Sequence, residues 1–143
     1  MMKQISFPGE ISSLAPIAIF LEELSLEAGL ETKAHFGLQL AVDELVTNII
    51  THAYEECGKR GDVLFEVEVD EKKLVLVIVD TGAFYDPTQK GRPVDLDKPL
   101  EERQIGGLGI YLALQSVDQF RYERQGNYNR NIITMLRPVD SIQ

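Results

Sequence analysis

The sequence predicts an α+β fold, a two-layer sandwich with helices packed on one face of a mixed, mostly antiparallel sheet. Three observations carry that prediction. Apolar residues recur at helical spacing in two long segments of the N-terminal third. Short β-branched runs in the middle and near the C-terminus are joined by tight-turn residues. The segments follow the order β-α-α-β-β, then a long irregular stretch, then α-β-β.

Residues 3–7 alternate weakly and are followed by the turn pair Pro8-Gly9, which predicts a short first strand. Ser12 or Ser13 is placed to cap a helix running to about Ala28, with Pro16 in its first turn. Ile17, Phe20, Leu21 and Leu24 form its apolar face, and Gly29 ends it. A second helix is expected from Glu31 to about Glu55. Leu38, Val42, Leu45 and Ile49 step along it by three or four as an apolar stripe. Glu44, Asn48 and His52 step by four as a polar line beside that stripe. An ordinary amphipathic helix would turn such a line to water. Here Leu45, Val46, Ile49, Ile50 and Ala53 surround it with apolar side chains, so the helix is expected to be mostly buried. A buried carboxylate, amide and imidazole in one row need partners, and a metal with phosphates would supply them.

Residues 63–69 predict a strand, 70–73 a hairpin turn, and 74–79 a strand buried on both faces. From Thr81 to about Ile105 the chain has Pro87, Gly91, Pro93 and Pro99 and no clear period. Loops of that length are usually functional or disordered. A helix starting on glycines is expected over 106–115. Strands are expected over 119–124 and 129–137, joined in a hairpin around Gly126-Asn127. With no repeats and no linker, residues 1–143 are expected to form a single domain.

Composition narrows the partners. The chain has 143 residues, 44% hydrophobic and 26% charged, an ordinary balance for a folded domain. A net charge of −9 argues against nucleic acid or an anionic membrane as the main partner, because both would be repelled. It leaves nucleotides open, since local groups and a metal hold those. The single cysteine, Cys57, permits no internal disulfide and sits in a polar loop, where it is expected to be incidental. There is no run of about 18 apolar residues and no apolar core of a signal peptide, so the expectation is a cytoplasmic protein.

Three groups of residues carry chemistry. The first is Glu44 with Asn48 one turn later, and His52 a turn beyond. An amide oxygen and a carboxylate so placed can reach one small oxygen-ligated cation such as magnesium, and the carboxylate can orient or deprotonate an attacking hydroxyl. The second is Asp80-Thr81-Gly82, with Asp86-Pro87 behind it, at the end of a buried strand. It offers a carboxylate to an exocyclic amine such as that of adenine, although an Asp capping a turn with Thr81-Gly82 is an equal reading of that segment alone. The third is Gly106-Gly107-Leu108-Gly109, where backbone N–H groups at a helix start would face an anion. A hinge closing the long loop competes with it. The segment lacks the Gly-Lys-Ser/Thr ending of a Walker loop and does not follow a strand. Together the three fit one nucleoside triphosphate, with the long loop as a lid.

On these residues the chain resembles the GHKL (Bergerat-fold) ATPases, and among them the bacterial anti-sigma factor serine kinases. Residues 44–54 resemble the family's N-box, Asp80, Gly82 and Asp86-Pro87 its first glycine box, and 106–109 its second. The resemblance implies a histidine-kinase-like ATPase fold, with ATP as phosphoryl donor and Mg2+ as cofactor. It implies that Asn48 holds the metal and that Glu44 is the general base. It implies that Asp80 accepts from the adenine amine, with Gly82 allowing close approach. Gly106, Gly107, Leu108 and Gly109 would contact phosphates through backbone, and His52 would pack or hydrogen-bond at the edge of the site. His35 is expected to be structural or exposed. One departure is visible: where many members carry a Thr early in the last strand, this chain has Asn131, expected to bond to the base or a water. Of the few basic residues in the lid, Arg103 lies nearest the glycine box and is the candidate for a phosphate contact.

The function implied is transfer of the γ-phosphoryl group to a serine of an anti-anti-sigma (STAS-type) partner, by a protein that also sequesters a sigma factor, often as a dimer. A nucleotide-gated binding switch without kinase activity is the alternative, and Glu44 divides the two.

Overall fold

The computed structural model describes residues 2–90 and 107–138. One layer is a sheet of five strands in the spatial order β1-β2-β3-β5-β4, formed by β1 (Met2–Pro8), β2 (Asp62–Val69), β3 (Lys73–Asp80), β4 (Gln119–Gln125) and β5 (Tyr128–Leu136). Every pairing in it is antiparallel, so the expected mixed sheet is purely antiparallel among the described residues. Two of the pairings are hairpins, which can only run antiparallel. The β2–β3 turn is held by Asp70, whose Oδ1 accepts from the N–H groups of Lys72 at 2.8 Å and Lys73 at 2.9 Å. The β4–β5 turn passes through Gly126 at φ 57, between the paired residues Gln125 and Tyr128.

The second layer is helical. A short 3-10 turn, Ile11–Ser13, leads into α1 (Leu14–Ala28), and α2 (Thr32–Asn48) follows. Ser13 does not cap α1: its hydroxyl donates to the Pro8 carbonyl at 2.6 Å and fastens the helix to the end of β1. Gly29 ends α1 in the left-handed region at φ 68, and the next N–H, that of Leu30, reaches back to Ser25 O at 2.9 Å. The helical run expected from 31 to 55 is continuous but changes pitch. α2 passes into a π-helical turn, Ile49–Tyr54, and then a 3-10 turn, Glu55–Cys57. A short α3 (Pro87–Lys90) and α4 (Gly107–Leu114) complete the described elements.

Strand alternation decides which face meets the helices. Val63, Phe65 and Val67 of β2 pair with Asp80, Ile78 and Leu76 of β3, which pair in turn with Asn129, Asn131 and Ile133 of β5. These side chains point to one face, and all are buried. Ile17, Leu21 and Leu24 of α1 and Leu38, Val42 and Leu45 of α2 close over them to make the main core. The expected stripe on α2 is therefore its buried face. The other sheet face carries a smaller apolar group, Val77, Val79 and Ile132 with Leu64 and Val75 packed against it, and charged neighbours.

Candidate functional site

Two glycines set how α2 and α4 lie together. A Cβ added to Gly37 would come within 2.3 Å of the Ser116 carbonyl oxygen, and one added to Gly109 would lie 3.2 Å from a Glu44 carboxylate oxygen. Advancing along α2 from 37 to 44 thus means retreating along α4 from 116 to 109, so the pair is antiparallel. Glu44 is half-buried against the first turn of α4. The predicted general base and the second glycine box are neighbours.

Asn48 is the last residue of α2, half-buried, one turn beyond Glu44 on the same side. The π turn begins at the next residue. With i→i+5 bonding it has more residues per turn than the α-helix, so the four-residue step from Asn48 to His52 no longer makes one full turn. His52 Nδ1 meets Glu56 Oε1 at 2.8 Å, and its ring stacks on Tyr85 with centroids 5.0 Å apart. His52 thus both packs and hydrogen-bonds. His35 bonds to Ser25 Oγ at 2.8 Å, a structural role. Cys57 is exposed.

The π turn also builds the floor of the site. The Ala53 carbonyl accepts the Ala83 N–H at 2.9 Å, which draws the loop after β3 onto the end of the central helix. A Cβ on Gly82 would sit 2.6 Å from both the Ala53 carbonyl oxygen and its Cβ, so only glycine fits this contact. Tyr54 braces the same corner. Its hydroxyl donates to Asp62 O at 2.6 Å and accepts the Thr81 N–H at 3.0 Å.

Asp80 stands at the end of β3, 1% exposed. Its Oδ1 accepts from Asn129 Nδ2 at 2.8 Å and from the Gly82 N–H at 2.9 Å. Its Oδ2 is buried without a partner among the described residues. Burial pushes the Asp80 carboxyl above the usual carboxylate range, against the opposing pull of Asn129, Gly82 and the Arg124 guanidinium. Asn131, also 1% exposed and on the same sheet face, has its Oδ1 buried without a partner among the described residues. Two buried acceptors lacking donors are costly unless a ligand supplies the hydrogens. An exocyclic amine fits that need.

The structure thus brings together Glu44 with Gly109, Asn48 on the same helix side, and Asp80 with Gly82, with Asn131 on the same sheet face. Gly107 and Leu108 lie in the first turn of α4. Arg103 and Gly106 lie outside the described residues, as does most of the expected lid. Among the described residues no group of three or more His, Cys, Asp or Glu is arranged to hold a metal. A site with one amide ligand plus substrate phosphates and water would not show as such a group.

Sequence reasoning missed Asn129, Tyr122 and Arg124. Asn129 Oδ1 accepts from Arg124 Nη1 at 3.0 Å and from the Tyr122 hydroxyl, and Arg124 also donates to Gly82 O at 3.1 Å. A signal was present in the alternation of the last strand. Asn129 and Asn131 continue the buried row of Ile133 and Met135, and two amides on a core face need an explanation.

Comparison with known proteins agrees with this fold. The chain matches the histidine kinase-like ATPase domain over residues 7–137. It is 30% identical over 115 residues to the serine/threonine-protein kinase BtrW of Bordetella bronchiseptica, covering 80% of each chain. It is 29% identical over 119 residues to the serine-protein kinase RsbW of Staphylococcus aureus, covering 81% of this chain and 75% of that one. Among solved structures, the RsbU and RsbW domains of Rv1364c from Mycobacterium tuberculosis superpose on the whole chain with a TM-score of 0.66 at 15% identity. This chain spans only 35% of that longer structure. The histidine kinase AdeS of Acinetobacter baumannii gives 0.51 at 14% identity over 94% of this chain and 68% of that one. At such identities the structures speak for the fold, while the two sequence relatives are a serine/threonine-protein kinase and a serine-protein kinase, the kind that the family resemblance implies. The chain belongs to the family of histidine kinase-like ATPase domains.

Proposed function

We propose that this chain is an ATP-dependent protein serine kinase that transfers the γ-phosphoryl group to a serine hydroxyl of an anti-anti-sigma (STAS-type) partner and sequesters a sigma factor. The observation that carries the reading is the buried Asp80 Oδ2, without a partner among the described residues, beside Gly82, on a site that also places Glu44 against Gly109. The adenine amine would donate to Asp80, and Asn131 would offer a second acceptor toward the base. Gly106, Gly107, Leu108 and Gly109 would meet the phosphates through backbone N–H groups, with Arg103 adding charge from the lid. Mg2+ would be held by Asn48 and would neutralise phosphate charge. Glu44 would take the proton of the serine hydroxyl while that oxygen bonds to the γ-phosphorus. The bond from the γ-phosphorus to its bridging oxygen then breaks, and ADP leaves with the electron pair.

A protein acceptor suits the surface around Glu44. Phe36 and Leu40 lie two turns and one turn before Glu44 on α2 and are 63% and 45% exposed. Leu112, one turn after Gly109 on α4, is 51% exposed. A small acceptor would need no such apolar border. Dimerisation and a cytoplasmic location belong to the same proposal, supported by the kind of relative the chain matches.

Phosphotransfer from labelled ATP with magnesium to a serine-bearing STAS-type protein is the test. Glu44→Gln is expected to lower the rate by roughly 10²–10⁴-fold, the usual contribution of a general base, with ATP affinity little changed. Undiminished transfer in that variant removes the base assignment. A wild-type protein that binds ATP without any transfer would favour the alternative, a nucleotide-gated binding switch.

A further inference from the structure

We infer that Asn129 is the residue that sets the base preference of this site, by fixing the Asp80 carboxylate so that Oδ2 alone faces the base. The inference rests on the nucleotide reading above and adds a positioning residue that does not itself touch the base.

Asn129 is 1% exposed and directly opposite Asp80 in the β3–β5 pairing. Its amide is fully used. Nδ2 donates to Asp80 Oδ1 at 2.8 Å and to Ala83 O at 2.9 Å, consuming both hydrogens. Oδ1 accepts from Arg124 Nη1 at 3.0 Å, from the Tyr122 hydroxyl and, at 3.4 Å, from the Tyr85 N–H. One end of the amide therefore meets only acceptors and the other only donors. Turning it over would set donor against donor and acceptor against acceptor, so its orientation is unique. The Gly82 N–H joins Asn129 on Asp80 Oδ1 at 2.9 Å.

A carboxylate rotates easily about its last torsion, whose preferences are broad. With Oδ1 held by two donors that rotation is stopped, and Oδ2 keeps one direction before any ligand arrives. A fixed acceptor welcomes an exocyclic amine and refuses a carbonyl oxygen in the same place, as a site built for one hydrogen-bonding group rejects its analogue. Adenine is accepted on this basis and guanine refused. Without Asn129 the carboxylate is free to turn Oδ2 toward the Gly82 N–H or the Arg124 guanidinium, and the distinction is lost.

Asn129 also tethers the loop after β3 through Ala83 and Tyr85, so lost binding alone would not separate positioning from support. The separating probe is purine riboside triphosphate, which is ATP without the 6-amino group. Calorimetry on the full chain gives the dissociation constants of both nucleotides with magnesium, and thermal melting monitors folding. Wild type is expected to prefer ATP by about ten-fold or more, the worth of one hydrogen bond to a charged group. In Asn129→Ala that ratio is expected to collapse toward one, with purine riboside triphosphate affinity within about two-fold of wild type. Asn129→Asp keeps the acceptor for Tyr122 and Arg124 but faces Asp80 with oxygen, and is expected to do the same. Tyr122→Phe, the mildest change, removes one anchor of Asn129 and is expected to lower the ratio part-way with melting unchanged. Equal loss of both nucleotides, or an unchanged ratio, overturns the assignment. Wild type that binds both nucleotides equally overturns the role of Asp80, and this assignment with it, while leaving nucleotide binding intact. Wild type that binds neither overturns the nucleotide reading itself.

Discussion

At the scale of single residues, Asp80 has two opposed demands on it. The fold without ligand shifts its balance toward the protonated form, since burial raises its pKa above the ordinary carboxylate value. An amine donating to Oδ2 favours the ionised form. The sign of each pH effect follows. A raised folded-state pKa gives stability that is fully present below the unfolded value of about 3.9 and is lost as pH rises through the raised value. ATP affinity moves the other way, weakening as pH falls through the same range. Asp80→Asn is expected to abolish both dependences. The asparagine oxygen keeps the two hydrogen bonds on Oδ1, so the ligand-free melting temperature should hold or rise near neutral pH. Its Nδ2, facing the adenine amine, should weaken ATP binding by about ten-fold or more. Melting curves and calorimetry from pH 4 to 8, wild type against variant, check this. A variant whose ATP affinity matches wild type at pH 7.5 would refute the contact.

At the scale of elements, the π turn and the glycine contacts place the site. Gly37 makes the point most sharply. In a helix interior, Gly→Ala usually stabilises by up to about 1 kcal/mol. Gly37→Ala should instead destabilise, by about 1–3 kcal/mol, because the new Cβ meets the Ser116 backbone carbonyl at 2.3 Å and α4 must shift. Gly29→Ala meets nothing within 4 Å and should cost only the strain of φ 68, about 1–2 kcal/mol. Only Gly37→Ala should also lower phosphotransfer, since displacing α4 separates Gly109 from Glu44. Denaturant unfolding and transfer rates on the two variants distinguish these effects. The same contacts mark what was legible in the chain. Glu44, Asn48, Asp80 and Gly109 could be found from spacing within one segment, because each depends on a local period or a strand end. The π turn could not, since residues 49–54 carry the same apolar period as the α-helix before them. Nor could the Asp80–Asn129 pair, which depends on register between β3 and β5, two strands 49 positions apart at that contact. The missing cap at Ser13 has a similar cause: its hydroxyl is taken by Pro8 on another element. The mixed sheet became purely antiparallel through strand neighbours that no single segment specifies.

At the scale of the whole molecule, the candidate site is a junction of four elements. Glu44 and Asn48 come from α2, Asp80 from β3, Asn131 from β5 and Gly109 from α4. All four elements enter one core, through Leu45 of α2, Ile78 of β3, Ile133 of β5 and Ile110 of α4, and α4 approaches α2 through a glycine-lined seam. A ligand bridging Asp80 and Gly109 would couple that helix to the sheet. Any ligand that binds only the native state stabilises it by mass action, about 2.7 kcal/mol at a hundred times its dissociation constant. For a domain of this size that corresponds to a melting shift of roughly 6–11 °C. Mg·ATP at that excess should therefore raise the melting temperature of wild type by this amount. Asp80→Asn at the same ATP concentration should show a smaller shift, because its affinity is lower. Glu44→Gln should show the full wild-type shift, because its contribution is confined to the hydroxyl that reacts. A Glu44→Gln protein that is no longer stabilised by ATP would mean that this carboxylate holds the phosphate end of the site together and not the incoming serine.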